Sequence, residues 1–260
     1  MQRSFFAGIR AVFTDMDGTL TSAGRVTAST YRALEVLERA GVPVVVVTGR
    51  PAGWSEAIAR LWPVRAVVAE NGGVLFLPRR AGGWRKVYAV PTATLPAVRR
   101  RMRAAARAVA AAIPGAHLAA DTVYTEVNLA IDWNEDVHLP EDDARRIEKI
   151  LRARGFNAVR SSVHVNYWPG RFDKLTACKK VVRALGGDPA RLEPYLYVGD
   201  ALNDEPMFRG FPRSVGVANV RDVWDDLATK PALVTRGREG AGFEEVARAV
   251  LAATARTRRR

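Results

Sequence analysis

Residues 42–48, VPVVVVT, narrow what this chain can fold into more than any other stretch. A nearly unbroken run of valines is a strand with both faces covered, the condition of a strand inside a parallel sheet. Residues 27–40 before it carry Tyr31, Leu34, Val36 and Leu37 at helical spacing, and Gly41 closes that helix as a C-terminal cap would. Short apolar runs recur at 12–13, 65–69, 74–77 and 195–198, with shorter ones at 214–217 and 232–234. Helices are predicted at 51–61, 173–185, near 223–227 and at 243–253, together with a short one opening at Asn203-Asp204. The β-α-β-α-β order predicts an α/β fold, a doubly wound parallel sheet.

Several of these runs deliver polar residues at their carboxyl ends, where open α/β sheets keep their sites. The first leads into Asp15-Met16-Asp17-Gly18-Thr19, the second into Thr48-Gly49-Arg50, the third into Glu70-Asn71-Gly72-Gly73, and 195–198 into Gly199-Asp200. Asp15 and Asp17 straddle one residue, so in an extended segment both carboxylates point the same way. Such a pair repels itself unless a cation sits between them or one holds a proton. A calcium loop needs its glycine at the sixth position, whereas Gly18 comes fourth and a strand leads in. The pair therefore asks for a metal of another kind, or for acid/base work.

Residues 82–168 read differently. Two helices, 94–113 and 141–154, alternate with half-buried strands at 122–133, 156–160 and 162–168. This predicts an α+β insert with an antiparallel sheet, dividing the chain into a core of 1–81 and 169–260 and an inserted domain of 82–168. Strand parity puts Val127, Leu129 and Ile131 on one face with Val163, Val165 and Tyr167, and Glu126, Asn128, Ala130, Asp132, Ser162, His164 and Asn166 on the other. The polar face either meets water or roofs the aspartate turn. Trp133 and Trp168 serve either a homodimer contact or the junction between insert and core.

At 260 residues and 48% hydrophobic content the chain can bury a substantial core. Its single cysteine, Cys178, excludes an internal disulfide, and His117, His138 and His164 stand too far apart in sequence to suggest zinc. The apolar run between Arg3 and Arg10 is too short for a signal peptide, and no run approaches a membrane span, so a soluble cytoplasmic protein is expected. The net charge of +13 is carried mainly by arginine on helices and in the tail. Solvated helix faces account for most of it, and a nucleic-acid partner is not expected.

DMDGTLT, VVVVTGR, FDK and VGDALND stand in this order, and together they resemble the four motifs of the haloacid dehalogenase superfamily of phosphohydrolases. With the insert placed between the second and third motifs and ENGG after the third strand, the chain is similar to the class II-capped, Cof-like and sucrose-phosphatase-like branch. The resemblance implies a magnesium-dependent phosphatase with Asp15 as nucleophile, forming an aspartyl phosphate, and Asp17 as general acid and base. Magnesium would be held by the Asp15 carboxylate, the Asp17 main-chain carbonyl and Asp200. Thr48 and Lys174 would contact the phosphate, with Asn203 and Asp204 orienting Lys174 and the metal's waters. Gly18 and Thr19 are expected to offer backbone N–H groups to phosphate. Gly49, Arg50 and Asn71, with Glu126, Asn128, His164 and Asn166 on the insert, are the candidate contacts to the rest of the substrate.

An acid/base aspartate at position 17 favours a phosphatase or phosphomutase over dehalogenases and ion pumps, and the short loop 22–26 leaves no room for the helical cap of most mutases. A roof over the site favours small substrates: sugar phosphates and phosphorylated sugar acids first, then phosphoglycolate and nucleotide-like compounds. The reading from another class is a non-catalytic protein that holds nucleic acid or an acidic partner with its basic surface.

Overall fold

In a computed structural model of the chain, residues 3–79 and 81–257 are described. The chain begins with β1 (Ala11–Thr14), α1 (Ala28–Arg39), β2 (Val44–Val47), α2 (Ala52–Leu61), β3 (Ala66–Ala69), β4 (Val74–Pro78) and β5 (Trp84–Tyr88). It continues through α3 (Leu95–Ala112), β6 (His117–Leu118), β7 (Leu129–Asp132), α4 (Glu141–Ala153), β8 (Asn157–Arg160) and β9 (His164–Trp168). The last part is α5 (Lys174–Ala184), β10 (Tyr195–Gly199), α6 (Glu205–Gly210), β11 (Arg213–Gly216), β12 (Leu233–Val234) and α7 (Glu239–Thr257).

Eight strands form one sheet in the order β12-β11-β10-β1-β2-β3-β4-β5. Pairing is parallel from β12 to β3 and antiparallel for β3–β4 and β4–β5. Side-chain alternation divides the strands between two apolar layers. Val12, Val44, Val46, Val67 and Val198 pack with Leu34, Leu37 and Val250 on one side. Phe13, Val45, Val47, Val68 and Tyr197 pack with Val181, Met207 and Phe211 on the other. Each fully buried valine or leucine contributes about 1.5–3 kcal/mol, so the all-valine β2 anchors the sheet from both faces. The strand order reverses at β1, between β10 and β2, and that reversal opens a crevice at the strands' carboxyl ends.

Local chemistry sets the ends that matter for the site. Thr27 caps α1 by accepting the Thr30 N–H at 3.2 Å, and Gly41, with φ +72°, lets the chain turn back into β2. Asp173 caps α5 by accepting the Thr176 N–H at 2.6 Å, which makes Lys174 the first helical residue.

The smaller sheet is antiparallel, β6-β7-β9-β8. Leu129, Ile131, Val165 and Tyr167 pack on Met102 and Val109 of α3 and on Ile147 and Leu151 of α4. The opposite face does not meet water: Asn128 and Asp132 are 0% exposed, and His164 and Asn166 are 4% exposed. That face lies over the crevice. Trp168 is buried as well, stacked on Phe172 with ring centroids 5.9 Å apart and donating Nε1–H to the Phe172 carbonyl, at the return from insert to core. Trp133 donates Nε1–H to the Ser161 carbonyl.

Three expectations from sequence are corrected. Trp84–Tyr88, placed in the insert, pairs antiparallel with β4 as the outer strand of the large sheet; half-buried along its length, it shows no alternation to read. The strand expected at 122–133 is only Leu129–Asp132. Residues Ala120–Tyr124 form a 3-10 turn instead, and the N–H groups of 126–128 bond to the Glu70 carboxylate rather than to a neighbouring strand. No helix forms at 223–227; a 3-10 segment, Ala218–Val223, ends there and successive turns bury Leu227.

Candidate active site

β1 hands Asp15 to the crevice, its N–H held by the Val198 carbonyl at 2.8 Å. The chain then turns tightly, with Thr19, Leu20 and Thr21 all donating to the Met16 carbonyl. Gly18 is required in that turn, because its φ is +72° and a Cβ there would lie 2.5 Å from Asp200 Oδ2. Asp200 itself follows β10. It accepts from Thr19 Oγ1 at 2.7 Å and from Asn219 Nδ2 at 2.9 Å, and the same Asn219 amide donates to the Gly18 carbonyl at 3.0 Å.

Lys174 completes the cluster from the first turn of α5. Its buried ammonium donates to Asp15 Oδ1 at 2.7 Å and to Asp204 Oδ1 at 2.9 Å. Asp204 is further engaged by the Tyr197 hydroxyl at 2.6 Å and by the N–H groups of Asp200 and Ala201. Those four donors leave Asp204 as the holder of Lys174, and Asp15 and Asp200 as the carboxylates with the most unengaged lone pairs.

The electrostatics follow from burial. Loss of solvent and the nearby charge of Asp204 push the Asp15 carboxyl up to about 8 against the pull of Lys174. Burial likewise raises Asp200, helped by the charges of Asp15 and Asp204. It works against the Lys174 ammonium, but the charges of Asp15 and Asp204 outweigh it and hold that group above the ordinary lysine value. Oxygens of Asp15, Asp200 and Asp204 lie within 4.8 Å of one another, and one lysine cannot balance three carboxylates. An all-oxygen, anion-rich pocket of this kind fits a hard divalent cation such as Mg²⁺.

Arg50 spans the gap between the aspartate turn and the insert. From Nε it donates to both Asp17 oxygens, and its terminal nitrogens reach Glu135 at 2.5 and 3.1 Å and Asp121 at 3.4 Å. Glu135 Oε2 in turn lies 2.8 Å from His164 Nε2. His164 and Arg50 hold the Glu135 carboxyl down to about 2. Beneath this bridge a narrow cavity is lined by Asp15, Asp17, Gly49 and Arg50 of the core and by Ser161, Ser162, His164 and Asn166 of the insert. Asn203 also lines it, with a buried Oδ1 that has no protein partner.

The residues expected from sequence are largely brought together. Thr48 is buried below Gly49 and accepts the Arg50 N–H at 3.0 Å, which leaves its own hydroxyl proton free to donate. Asn71, Asn128 and Asn166 converge on Gly49: Asn71 Nδ2 and the Asn166 amide would lie 3.2 and 3.3 Å from a Cβ built there, and Asn128 donates weakly to its carbonyl at 3.4 Å.

Two expectations fail. Glu126 turns away from the cavity to pair with Lys86 and Tyr88, because β7 begins only at Leu129 and strand parity does not extend to it. The amides of Gly18 and Thr19 are not free for phosphate, since they donate to Thr21 Oγ1 and the Met16 carbonyl within the turn; Thr19 contributes its hydroxyl to Asp200 instead. Among the described residues, the N–H groups of Met16 and Asp17 have no protein acceptor.

Sequence reasoning did not anticipate Asn219, Tyr197, Glu135 or Asp121. Asn219 sits in the 3-10 segment Ala218–Val223 beyond the end of β11, where no strand end marks it.

Residues 12–82 match the haloacid dehalogenase-like hydrolase family. The phosphoglycolate phosphatase of Haloarcula marismortui is 29% identical over 242 residues, an alignment spanning 90% of this chain and 94% of that one. The crystal structure of Thermoplasma acidophilum 0175 superposes with a TM-score of 0.71 at 19% identity, covering 93% of this chain and 98% of that one. Sucrose-phosphatase from Synechocystis sp. PCC6803, solved with sucrose and phosphate, gives 0.63 at 16% identity, covering 92% and 96%. Over residues 12–82 the chain is similar to the haloacid dehalogenase-like hydrolases, and it shares the fold of these two solved structures. It is an enzyme of the phosphatase type. No helix among the described residues is long and apolar enough to cross a membrane.

Proposed function

We propose that the chain is a magnesium-dependent phosphomonoesterase that works through an aspartyl phosphate on a small phosphorylated metabolite. The observation that carries this reading is the Lys174 ammonium held between Asp15 and Asp204, with Asp17 on the same cavity wall. Asp15 attacks phosphorus, the ester P–O bond breaks, and Asp17 gives its proton to the departing alkoxide. Asp17 then takes a proton from the water that attacks the aspartyl phosphate, and cleavage of that P–O bond releases phosphate and restores Asp15. Lys174 and the Thr48 hydroxyl offset charge on the phosphoryl oxygens. The Asp15 and Asp200 carboxylates and the Asp17 main-chain carbonyl would hold Mg²⁺, which when bound neutralises charge shared by the nucleophile and the phosphoryl group. Residues 89–168 act as a cap over a core made of the rest.

Phosphoglycolate is the first substrate to consider. A relative named for that activity aligns along nearly the whole chain, and the narrow cavity bounded by Asp17 and Arg50 favours a short ester over a long one. Sugar phosphates and phosphorylated sugar acids are the second reading, supported by the hydroxyl-matching Ser161, Ser162 and Asn166 on the roof. Phosphate release from phosphoglycolate, hexose phosphates, sugar-acid phosphates and nucleotides with Mg²⁺ tests both, with Asp15→Asn alongside. The variant is expected to keep its fold and lose turnover by at least about a thousandfold. Equal turnover would place the nucleophile elsewhere.

A further inference from the structure

Glu70 is fully buried at the end of β3, and among the described residues no cationic side chain pairs with it. Its carboxylate accepts four backbone N–H groups. Oε1 takes those of Ala52 at 2.9 Å and Glu126 at 2.7 Å; Oε2 takes those of Val127 at 2.6 Å and Asn128 at 2.8 Å. Three successive amides form a concavity of the kind that binds anions, and Ala52 adds the N-terminus of α2. The Glu70 side chain thus takes the place of an anion between two parts of the molecule: α2 of the core, and the segment that leads into β7 of the insert.

The turn that carries it is held in an unfavourable backbone. Glu70 and Asn71 adopt φ of +51° and +56°, followed by Gly72 at +100°. Non-glycine residues stay in this region only where their surroundings over-determine them. Here the turn lies against both points where the chain crosses between core and insert. A Cβ on Gly72 would lie 2.3 Å from the Asp173 carbonyl oxygen, and one on Gly73 would lie 2.1 Å from Val127 Cγ2. The Gly73 carbonyl accepts the Ala89 N–H at 2.9 Å, where the chain leaves the core. Above the clamp, Asn128 Nδ2 reaches the Gly49 carbonyl and Asn166 Oδ1, and Asn166 lines the cavity.

We infer that Glu70 is a positioning residue: its carboxylate pins residues 126–128 to the start of α2 and so fixes the height of the insert's polar face above Gly49. It acts through Asn128 and Asn166 and touches no reacting atom. A carboxylate is needed rather than an amide, because a glutamine would turn an NH₂ group toward at least one of four N–H donors. The functional part of this assignment rests on the reading of the cavity as a phosphatase site.

The test compares the full-length wild type with Glu70→Gln and Glu70→Asp in Mg²⁺. Amide-resolved hydrogen exchange is expected to lose protection at least tenfold at residues 52 and 126–128 in Glu70→Gln, while β1 and β10 stay protected. The ratio of kcat/KM for phosphoglycolate to that for p-nitrophenyl phosphate is expected to fall tenfold or more, mainly through KM, with partial recovery in Glu70→Asp. Unchanged protection, protection lost evenly along the chain, or an unchanged ratio would each overturn the assignment. If Glu70→Gln does not fold, native-state exchange of the wild type decides: the four amides must open together, and independent opening overturns the clamp. A wild type that releases no phosphate from any ester overturns the phosphatase reading and with it the positioning role, while exchange still judges the clamp itself.

Discussion

Arg50 Nε donates to both carboxylate oxygens of Asp17, at 3.0 and 3.1 Å, while the terminal nitrogens of the same guanidinium also reach Glu135 of the insert. The aspartate expected to move protons is therefore oriented by a residue that also ties down the roof. A lysine is a point charge and cannot reproduce a planar fork bonded on both edges. Arg50→Lys is expected to lower kcat/KM by about ten- to a hundredfold, and Glu135→Gln, which keeps one acceptor, by less. Steady-state kinetics on phosphoglycolate checks the order; an Arg50→Lys enzyme as active as wild type would mean that the fork is not needed.

The carboxylate cluster predicts an unusual pH dependence. In folded protein Asp15 keeps its proton up to about 8, whereas unfolded chain releases it near the ordinary 3.8. Between those values the folded form binds more protons, so raising pH favours unfolding. With a chelator present, the stability of wild type relative to Asp15→Asn should fall as pH rises from about 4 to 8. Mg²⁺ should reverse the trend, adding about 2.7 kcal/mol at a hundredfold excess over its dissociation constant. Urea midpoints measured across that range decide it, and a wild type indifferent to both pH and Mg²⁺ would sink the metal assignment.

Tyr197 is fully buried, and its hydroxyl donates to Asp204 Oδ1 at 2.6 Å. Tyr197→Phe removes one hydrogen bond to a charged acceptor without opening much space. A loss of about 1.5–3 kcal/mol in urea unfolding is expected, with kcat lowered less than tenfold because Lys174 and two amides still hold Asp204. No change in midpoint would contradict it.

Glu126 gives the opposite expectation. Its side chain pairs with the half-exposed Lys86 rather than facing the cavity, so Glu126→Ala should cost under about 1 kcal/mol and leave KM within twofold. A tenfold rise in KM would return it to the substrate.

What could be read from sequence followed the range over which its physics acts. Asp15, Thr48 and Asp200 announce themselves because each ends an apolar run, and a parallel sheet lines up such ends without further information. Parity along β9 turned His164 and Asn166 toward the core, and it still held at Asn128, the residue just ahead of β7. It misplaced Glu126, which lies further ahead of that strand. Asp121 and Glu135 lie in loops whose course no periodicity sets, and their meeting on Arg50 depends on how the insert docks. Glu70 was hidden for the same reason. Its partners are four amides at residues 52 and 126–128, and amides have no sequence signature.

The chain leaves the core at Ala89, bonded to Gly73, and returns at Asp173, packed on Gly72, so both crossings lie against one short turn. A gene recombined at these two points would exchange the entire roof while breaking no strand pair of the eight-stranded sheet. Asp15, Lys174 and Asp200 all lie outside the exchanged stretch. On the proposed reading of this stretch as a cap, such an exchange is expected to change which ester is accepted and to leave the phosphoryl chemistry in place, provided the new roof offers partners for Arg50 and three amides for Glu70.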